Sequence, residues 1–255
     1  MNKEQQLELV PKQFRKHPIF WLITYKMAEK FNRVFSKYGN SPYLNKDNFE
    51  WTKPIEENAD AINKELHAFL YDEVIPSIHE IDVNWKPAIS DDRWKSFFLV
   101  GYGRPAEENC QRCPITYDLV KDVPGLVSAF FSVLKPGAKI PPHRGPFNGV
   151  LTYHMGLKLP KDRDQCFIKV DKKKYVWEYG EGVVFDDTYV HEVENNTDEI
   201  RVILMLNFAR PVHSPFSKLC NYVLKCISEL PFVERGYQKL VDRDYADVEK
   251  FSKPQ

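Results

Sequence analysis

Between residues 126 and 208 the chain is a series of short apolar segments, each rich in Val, Phe, Ile or Leu and each followed by a Gly or Pro corner. Segments of this length bounded by turn residues are typical of β-strands. They lie at residues 127–134, 149–159, 165–170, 174–177, 182–185 and 201–208. Their close succession predicts a mostly β protein: a sandwich, jelly roll or barrel with a usable interior.

A helical pattern precedes this β-rich region. Residues 14–38 predict a helix that is entered near Pro18 and ends at Gly39. Apolar residues recur at helical spacing and form a stripe: Phe20, Ile23, Met27, Phe31 and Phe35. Lysines and arginines lie on the other faces of this helix. Two interpretations stay open: the helix packs on its own domain, or it lies as a basic amphipathic segment on an anionic membrane surface.

The remaining patterns divide the chain into three parts. Further helices are predicted at 55–71, 110–123 and 216–227, and a further strand at 94–102. We interpret residues 1–50 as a basic amphipathic helical segment, residues 51–212 as a β domain with supporting helices, and residues 213–255 as a C-terminal helical appendage. The appendage either covers the barrel or joins the first helix at a surface.

Composition and charge exclude several classes of protein. The 255 residues carry 36 basic and 36 acidic side chains, so no net charge recruits nucleic acid. The amino terminus lacks the apolar core of a signal peptide, and the longest early apolar run, residues 19–23, is too short to span a bilayer. We expect a cytoplasmic protein that is at most peripheral on a membrane.

The five cysteines are too scattered for the disulfide framework of a small secreted domain, which favours a reducing compartment. Cys110 and Cys113 have the spacing of a zinc or redox pair, but no second pair follows. We therefore interpret them as incidental thiols.

Two histidines are candidates for a metal site. His143 follows a Pro-Pro corner and precedes glycines, which predicts a loop with a narrow set of backbone shapes, and His191 lies beyond several predicted strands. Two histidines on adjacent strands or loops can hold a divalent metal and leave positions open to substrate and oxygen. The common non-haem iron site adds a carboxylate two residues after the first histidine, where this chain has Gly145. From spacing alone, metal binding and a purely structural role both stay open.

The stretch from Trp94 to Pro211 resembles the aspartyl/asparaginyl β-hydroxylase family of iron(II)- and 2-oxoglutarate-dependent dioxygenases, and is also similar to bacterial lipid A 2-hydroxylases. Three segments carry the resemblance: Ser132-Val-Leu-Lys-Pro-Gly-Ala-Lys-Ile-Pro-Pro-His143, Tyr153-His-Met-Gly-Leu157 and Gly182-Val-Val-Phe-Asp-Asp-Thr-Tyr-Val-His-Glu-Val193. Arg201 stands where the family places the arginine that grips the oxoglutarate carboxylate.

The resemblance implies a double-stranded β-helix, a cupin-like jelly roll, in which His143 and His191 hold Fe(II). It implies that 2-oxoglutarate, which reacts with O2, contacts Ser132, His154 and Arg201. In the β-hydroxylase branch a glycine likewise replaces the carboxylate and water fills its place, so Gly145 fits that branch, whereas the lipid A branch carries an aspartate.

One residue departs from both branches, since Thr152 stands where they usually have an arginine. The loss of that cation is expected to weaken oxoglutarate binding or to shift its pose. Asp186 and Asp187, close to His191 in the chain, can orient an imidazole or cap a turn.

The residues agree with the implied roles on physical grounds. A dianionic keto acid in a closed barrel needs a fixed cation, and the planar fork of an arginine matches a carboxylate. Arg201 begins an apolar run and can point inward, the alternative being an edge-strand arginine; for His154 the alternative is a hydrogen-bonded core histidine.

We therefore predict an enzyme that couples oxidative decarboxylation of 2-oxoglutarate to hydroxylation of an Asp or Asn side chain or of a lipid acyl chain. The substrate is then a polypeptide, an amino acid or a lipid, with an anionic membrane surface as a further partner through residues 14–38. The alternative is a non-catalytic β-barrel that binds a small acid or lipid. The oligomeric state stays open.

Overall fold

Two antiparallel β-sheets lie at the centre of the protein, whose computed structural model describes residues 9–70, 75–78 and 92–242. The strands are β1 (Tyr43–Leu44), β2 (Trp94–Gly101), β3 (Arg104–Pro105), β4 (Leu126–Leu134), β5 (Lys139–His143), β6 (Val150–Lys158), β7 (Cys166–Val170), β8 (Lys173–Val176), β9 (Gly182–Phe185), β10 (His191–Asn195) and β11 (Arg201–Ala209). Within the described residues the larger sheet has the order β1-β9-β6-β11-β4-β2-β3, and the smaller has the order β5-β10-β7-β8. The predicted double-stranded β-helix, a jelly roll, is confirmed.

The central strand β11 shows how the larger sheet is built. Successive side chains of a strand point to opposite faces. Val202, Leu204 and Leu206 are fully buried in an apolar core on the outer face of the sheet. Ile203 and Met205 point the other way, into a second core shared with the smaller sheet. The space between the two sheets is therefore the interior of the jelly roll.

Helices cover the outer face and one end of this arrangement. They are α1 (Pro18–Val34), α2 (Thr52–Glu57), α3 (Ala59–His67), α4 (Glu107–Arg112), α5 (Pro114–Val120), α6 (Ser217–Ser228) and α7 (Pro231–Val241). Ile55 of α2, Ile62 and Leu66 of α3 and Val120 of α5 lie in the same apolar core as Leu204. Helices α2 to α5 thus support the sheet from the side away from the interior.

The predicted strands and helices are largely confirmed. The six apolar segments correspond to β4, β6, β7, β8, β9 and β11. The predicted helices at 55–71 and 110–123 are each divided in two, at Asn58 and at Cys113, where Pro114 begins a new helix. Residue 71, like the outer ends of the predicted terminal segments at 1–8 and 243–255, lies outside the described residues.

The prediction that His143 lies on a loop was wrong. Residues 139–143 form β5, which pairs with β10 and is the edge strand of the smaller sheet. Proline cannot donate a hydrogen bond to a neighbouring strand, so it is tolerated at a sheet edge. Pro141 and Pro142 therefore occupy a strand, and that strand fixes the position of His143 in the sheet.

Helix α1 packs on its own domain, but not through the whole of the predicted stripe. Its buried residues are Trp21, Thr24, Ala28 and Asn32. Only the end of the stripe packs inward, where Phe31 and Phe35 contact Phe216 with ring centroids 4.8 and 3.7 Å away. Phe20 and Met27 are exposed. The helix has two apolar faces, of which the domain covers one.

The C-terminal helices pack against the first helix and also cover part of the β domain, so both alternatives left open by the sequence are present. Cys220 and Val223 of α6 share an apolar cluster with Trp21 and Ala28 of α1. Helix α7 covers the edge of the larger sheet, where Tyr237 donates a hydrogen bond from Oη to the carbonyl oxygen of Pro105 at 2.8 Å. No helix in the described part of the chain is long and apolar enough to cross a membrane.

Candidate active site

His143 at the end of β5 and His191 at the start of β10 are direct partners in the strand pairing. Their ring centroids are 4.0 Å apart. Nδ1 of His143 lies 2.8 Å from the carbonyl oxygen of Pro141, and Nδ1 of His191 lies 3.0 Å from that of Tyr189. A carbonyl oxygen accepts only, so each Nδ1 carries the proton and Nε2 is the ring nitrogen through which each imidazole would bind a metal.

Burial keeps both imidazoles neutral. It lowers the pKa of His191 to about 4, and the neighbouring His143 contributes in the same direction. Burial also lowers the pKa of His143, against a smaller opposite effect of its hydrogen bond to Pro141. The neutral imidazole is the form that binds metals. Both imidazoles are therefore in the protonation state that could hold a divalent cation near neutral pH.

Asp187 explains why a glycine stands two residues after His143. The backbone nitrogen of Gly145 donates to the carbonyl oxygen of Asp187 at 2.8 Å. A Cβ atom added at Gly145 would overlap the carboxylate group of Asp187. The space that a carboxylate side chain at residue 145 needs is thus filled by a carboxylate from the β9–β10 loop.

The two neighbouring aspartates have different surroundings. Asp186 accepts hydrogen bonds from the nitrogen and hydroxyl of Thr188, at 3.0 and 2.6 Å, and pairs with the buried Arg210. Asp186 therefore caps the turn, one of the two roles foreseen from the sequence. Oδ1 of Asp187 has no hydrogen-bond partner within the described residues. Burial, and then the charge of Asp186, raise the pKa of Asp187 to about 7.

The three residues predicted to contact 2-oxoglutarate line the interior next to the histidine pair. Ser132 lies on β4, His154 on β6 and Arg201 on β11, and all three are buried. Nη1 of Arg201 donates to the carbonyl oxygen of Ser132 at 3.0 Å and lies 3.3 Å from its hydroxyl oxygen. The guanidinium lies 4.9 Å from the ring centroid of Trp177, and His154 lies 6.1 Å from the same ring.

Phe185 lies between these residues and the histidine pair. Its ring centroid is 4.8 Å from that of His154 and 5.9 Å from that of His191. The alternative of an edge-strand arginine at residue 201 is wrong, because β11 is central in the larger sheet and Arg201 is 1% exposed.

Several buried polar atoms of this interior have no partner within the described part of the chain. They are both ring nitrogens of His154, Nε1 of Trp177 and Nε of Arg201. A buried polar group without a hydrogen bond costs roughly 1–3 kcal/mol, so such atoms are normally satisfied. A ligand rich in acceptor oxygens could satisfy the donors among them. His154 makes no hydrogen bond to the described residues, which contradicts the alternative of a hydrogen-bonded core histidine.

The charge of the interior suits an anion. Burial lowers the pKa of Arg201 to about 10, which still leaves the guanidinium charged at neutral pH. Burial, and then the nearby Arg201, hold the pKa of His154 well below its usual value, so that imidazole is neutral. One buried cation beside neutral donors fits a small carboxylate such as 2-oxoglutarate. The residues of this interior thus suit such a ligand without a second arginine.

Thr152 occupies the place where an arginine was expected. It is fully buried on β6, and its hydroxyl accepts a hydrogen bond of 2.9 Å from Nδ2 of Asn207 on β11. These two residues are direct cross-strand partners. A hydrogen-bonded Thr–Asn pair therefore fills this part of the interior wall.

Sequence reasoning missed three residues of this interior. Trp177 follows β8 and is 1% exposed, Trp94 donates from Nε1 to the hydroxyl oxygen of Ser132 at 2.9 Å, and Asn207 contacts Thr152. Alternation along β11 could have found Asn207, since it lies six residues after the inward-pointing Arg201. No sequence pattern predicts that the two tryptophans lie in this interior.

Residues 56–211 match the sequence model of the aspartyl/asparaginyl beta-hydroxylases. The chain belongs to this family. Among curated relatives of this family member, the ornithine lipid ester-linked acyl 2-hydroxylase of Rhizobium tropici is 37% identical over 237 residues, covering 91% of this chain and 84% of that protein. The aspartyl/asparaginyl beta-hydroxylase of Homo sapiens is 32% identical over 127 residues, which are 48% of this chain and only 16% of the human protein.

Solved structures show a much weaker likeness to this family member. A cupin domain of an XRE-family transcriptional regulator from Enterobacter cloacae is 13% identical, with a TM-score of 0.33, over 47% of this chain and 99% of that one. A likeness at this level carries no conclusion about function.

Proposed function

We propose that this β-hydroxylase family member is an Fe(II)- and 2-oxoglutarate-dependent dioxygenase that hydroxylates a lipid acyl chain. The observation that carries the proposal is the pair of neutral imidazoles, His143 and His191, with ring centroids 4.0 Å apart. Beside them lies an interior whose buried donors include several without a hydrogen-bond partner in the described part of the chain. When bound, iron and 2-oxoglutarate supply, with O2, the oxidising power for C–H hydroxylation, and succinate and CO2 are released.

The residues of the interior bind and orient the co-substrate in this proposal. Arg201 pairs with a carboxylate of 2-oxoglutarate, and its guanidinium is already fixed by the carbonyl oxygen of Ser132. His154 and Trp177 each have a nitrogen without a hydrogen-bond partner among the described residues, and each can donate to the same ligand. Since these side chains are buried, the site excludes water around the reacting groups, which strengthens each electrostatic contact.

Similarity favours the lipid substrate over the amino-acid substrate. The relative named as a lipid acyl 2-hydroxylase matches 91% of this chain, whereas the human β-hydroxylase matches 48%. An Asp or Asn side chain is the second candidate, because Gly145 fits the glycine that the resemblance implies for the β-hydroxylase branch. We further propose that the protein acts in the cytoplasm, as expected from the sequence.

An anaerobic titration tests this proposal. Addition of Fe(II) and 2-oxoglutarate is expected to produce a charge-transfer band in the visible spectrum, and admission of O2 is expected to release succinate. Mass spectrometry then distinguishes the substrates, since one added oxygen appears on an ornithine-lipid acyl chain or on an Asp-containing peptide. A protein with neither band nor succinate would be the non-catalytic barrel.

A further inference from the structure

One face of α1 is apolar and exposed although the helix packs well on its other side. Ile19, Phe20, Ile23 and Met27 are 73%, 60%, 51% and 45% exposed, and we call them the α1 ridge. Their spacing places them on one side of the helix, opposite the buried Trp21, Thr24, Ala28 and Asn32. Large apolar side chains clustered on a surface mark a binding site.

The surroundings of the α1 ridge are strongly basic. Residues 9–38 contain seven lysines and arginines but a single acidic residue, in a chain whose 36 basic and 36 acidic residues balance overall. That acidic residue, Glu29, is paired with Lys26 at 2.6 Å. Lys16 and Lys30 are exposed. An apolar ridge with a basic border is complementary to an anionic lipid surface, whose headgroups attract the lysines while the acyl region receives the ridge.

The helix that carries the ridge is also braced against the active site. Oη of Tyr25 donates to the carbonyl oxygen of Pro146 at 2.7 Å, and its ring lies 5.2 Å from that of Phe147. Nδ2 of Asn32 donates to Oδ1 of Asn148 at 3.2 Å. These partners belong to the loop that directly follows His143 in the chain. A surface bound by α1 is thus connected through one loop to the histidine pair.

An open groove lies beside the ridge. It has a volume of about 680 Å³ and is lined by apolar side chains of Phe14, Ile19, Phe20 and Ile23 together with Lys16 and His17. The groove thus extends the apolar surface of the ridge, and Lys16 places a cation at its edge.

We propose that the α1 ridge docks on an anionic phospholipid bilayer, from which the enzyme takes its acyl-chain substrate. This deepens the proposed function by naming the surface at which the substrate is met. The charge imbalance of residues 9–38 favours this occupant over a second copy of the chain, because two copies would bring like charges together.

Vesicle sedimentation of the full-length protein tests the inference. The parent is expected to bind vesicles that contain phosphatidylglycerol at least about tenfold more tightly than vesicles of phosphatidylcholine alone. The double variants Phe20→Ser/Ile23→Ser and Lys16→Glu/Lys30→Glu are each expected to weaken that binding by at least about tenfold. Ile115→Ser is the matched control, because Ile115 is also apolar and 45% exposed, and it is expected to bind as the parent does.

A further variant separates this inference from the proposed function. His143→Ala is expected to bind vesicles as the parent does, whatever becomes of turnover. Parental binding by Phe20→Ser/Ile23→Ser would overturn the inference, and so would equal binding to both vesicle types. A dimer in sedimentation velocity that is lost in Phe20→Ser/Ile23→Ser would assign the ridge to a second copy instead.

Discussion

His143 and His191 are opposite each other across two antiparallel strands, so their spacing depends on the register between β5 and β10 rather than on a loop. Because the backbone fixes both imidazoles, replacing either by Ala should lower the affinity for Fe(II) without unfolding the protein. We expect a loss of at least about tenfold for each variant. Titration of Fe(II) in the presence of 2-oxoglutarate measures this affinity. His213→Ala is the control, since His213 is exposed. Parental affinity in either variant would remove that histidine from the site.

Arg201 is expected to set the affinity for 2-oxoglutarate. Arg201→Lys keeps the positive charge but loses the planar fork that matches a carboxylate, so the KM for 2-oxoglutarate should rise by about tenfold with a smaller change in kcat. Arg210→Lys is the matched control, because Arg210 is equally buried but pairs with Asp186. It should lower the melting temperature and leave this KM unchanged. An unchanged KM in Arg201→Lys would show that the arginine only supports the fold.

The strands that form the interior could be predicted from sequence because apolar segments and Gly or Pro corners define them locally. Strand β5 could not, since Pro141 and Pro142 read as a corner and only their place at a sheet edge makes them acceptable. The face of α1 that packs on the domain could not be predicted either. Its two apolar faces look alike in the chain, and only the contact with α6 decides which one is buried.

The cysteine pair is expected to be unreactive in the folded protein. Burial raises the pKa of Cys110 to about 11 and that of Cys113 to about 12. At pH 8 a thiol with the latter pKa has about one molecule in ten thousand as the reactive thiolate, against roughly a quarter for an ordinary thiol. Ellman's reagent should therefore label the native protein at least about 100-fold more slowly than the protein in guanidinium chloride. Rapid labelling of two thiols in the native protein would restore the redox interpretation.

Gly145 and Asp187 illustrate a site feature that no local pattern reveals, since the two residues lie far apart in the chain. Gly145→Asp restores the spacing of the common iron site, yet we expect it to destabilise the protein, because the new side chain overlaps the carboxylate of Asp187. Gly145→Ala should already cost about 1–3 kcal/mol of unfolding free energy, as overpacking usually does. Thermal and denaturant unfolding measure both effects.

The double variant Gly145→Asp/Asp187→Gly shows whether that overlap is the cause. Removing the Asp187 side chain makes room for the carboxylate at residue 145, so the double variant should recover much of the stability that Gly145→Asp loses. The single variant Asp187→Gly supplies the reference for a double-mutant cycle. Additive losses in this cycle would mean that the two side chains do not compete for one space. A large coupling free energy would mean that Asp187 holds the place of the carboxylate that residue 145 lacks.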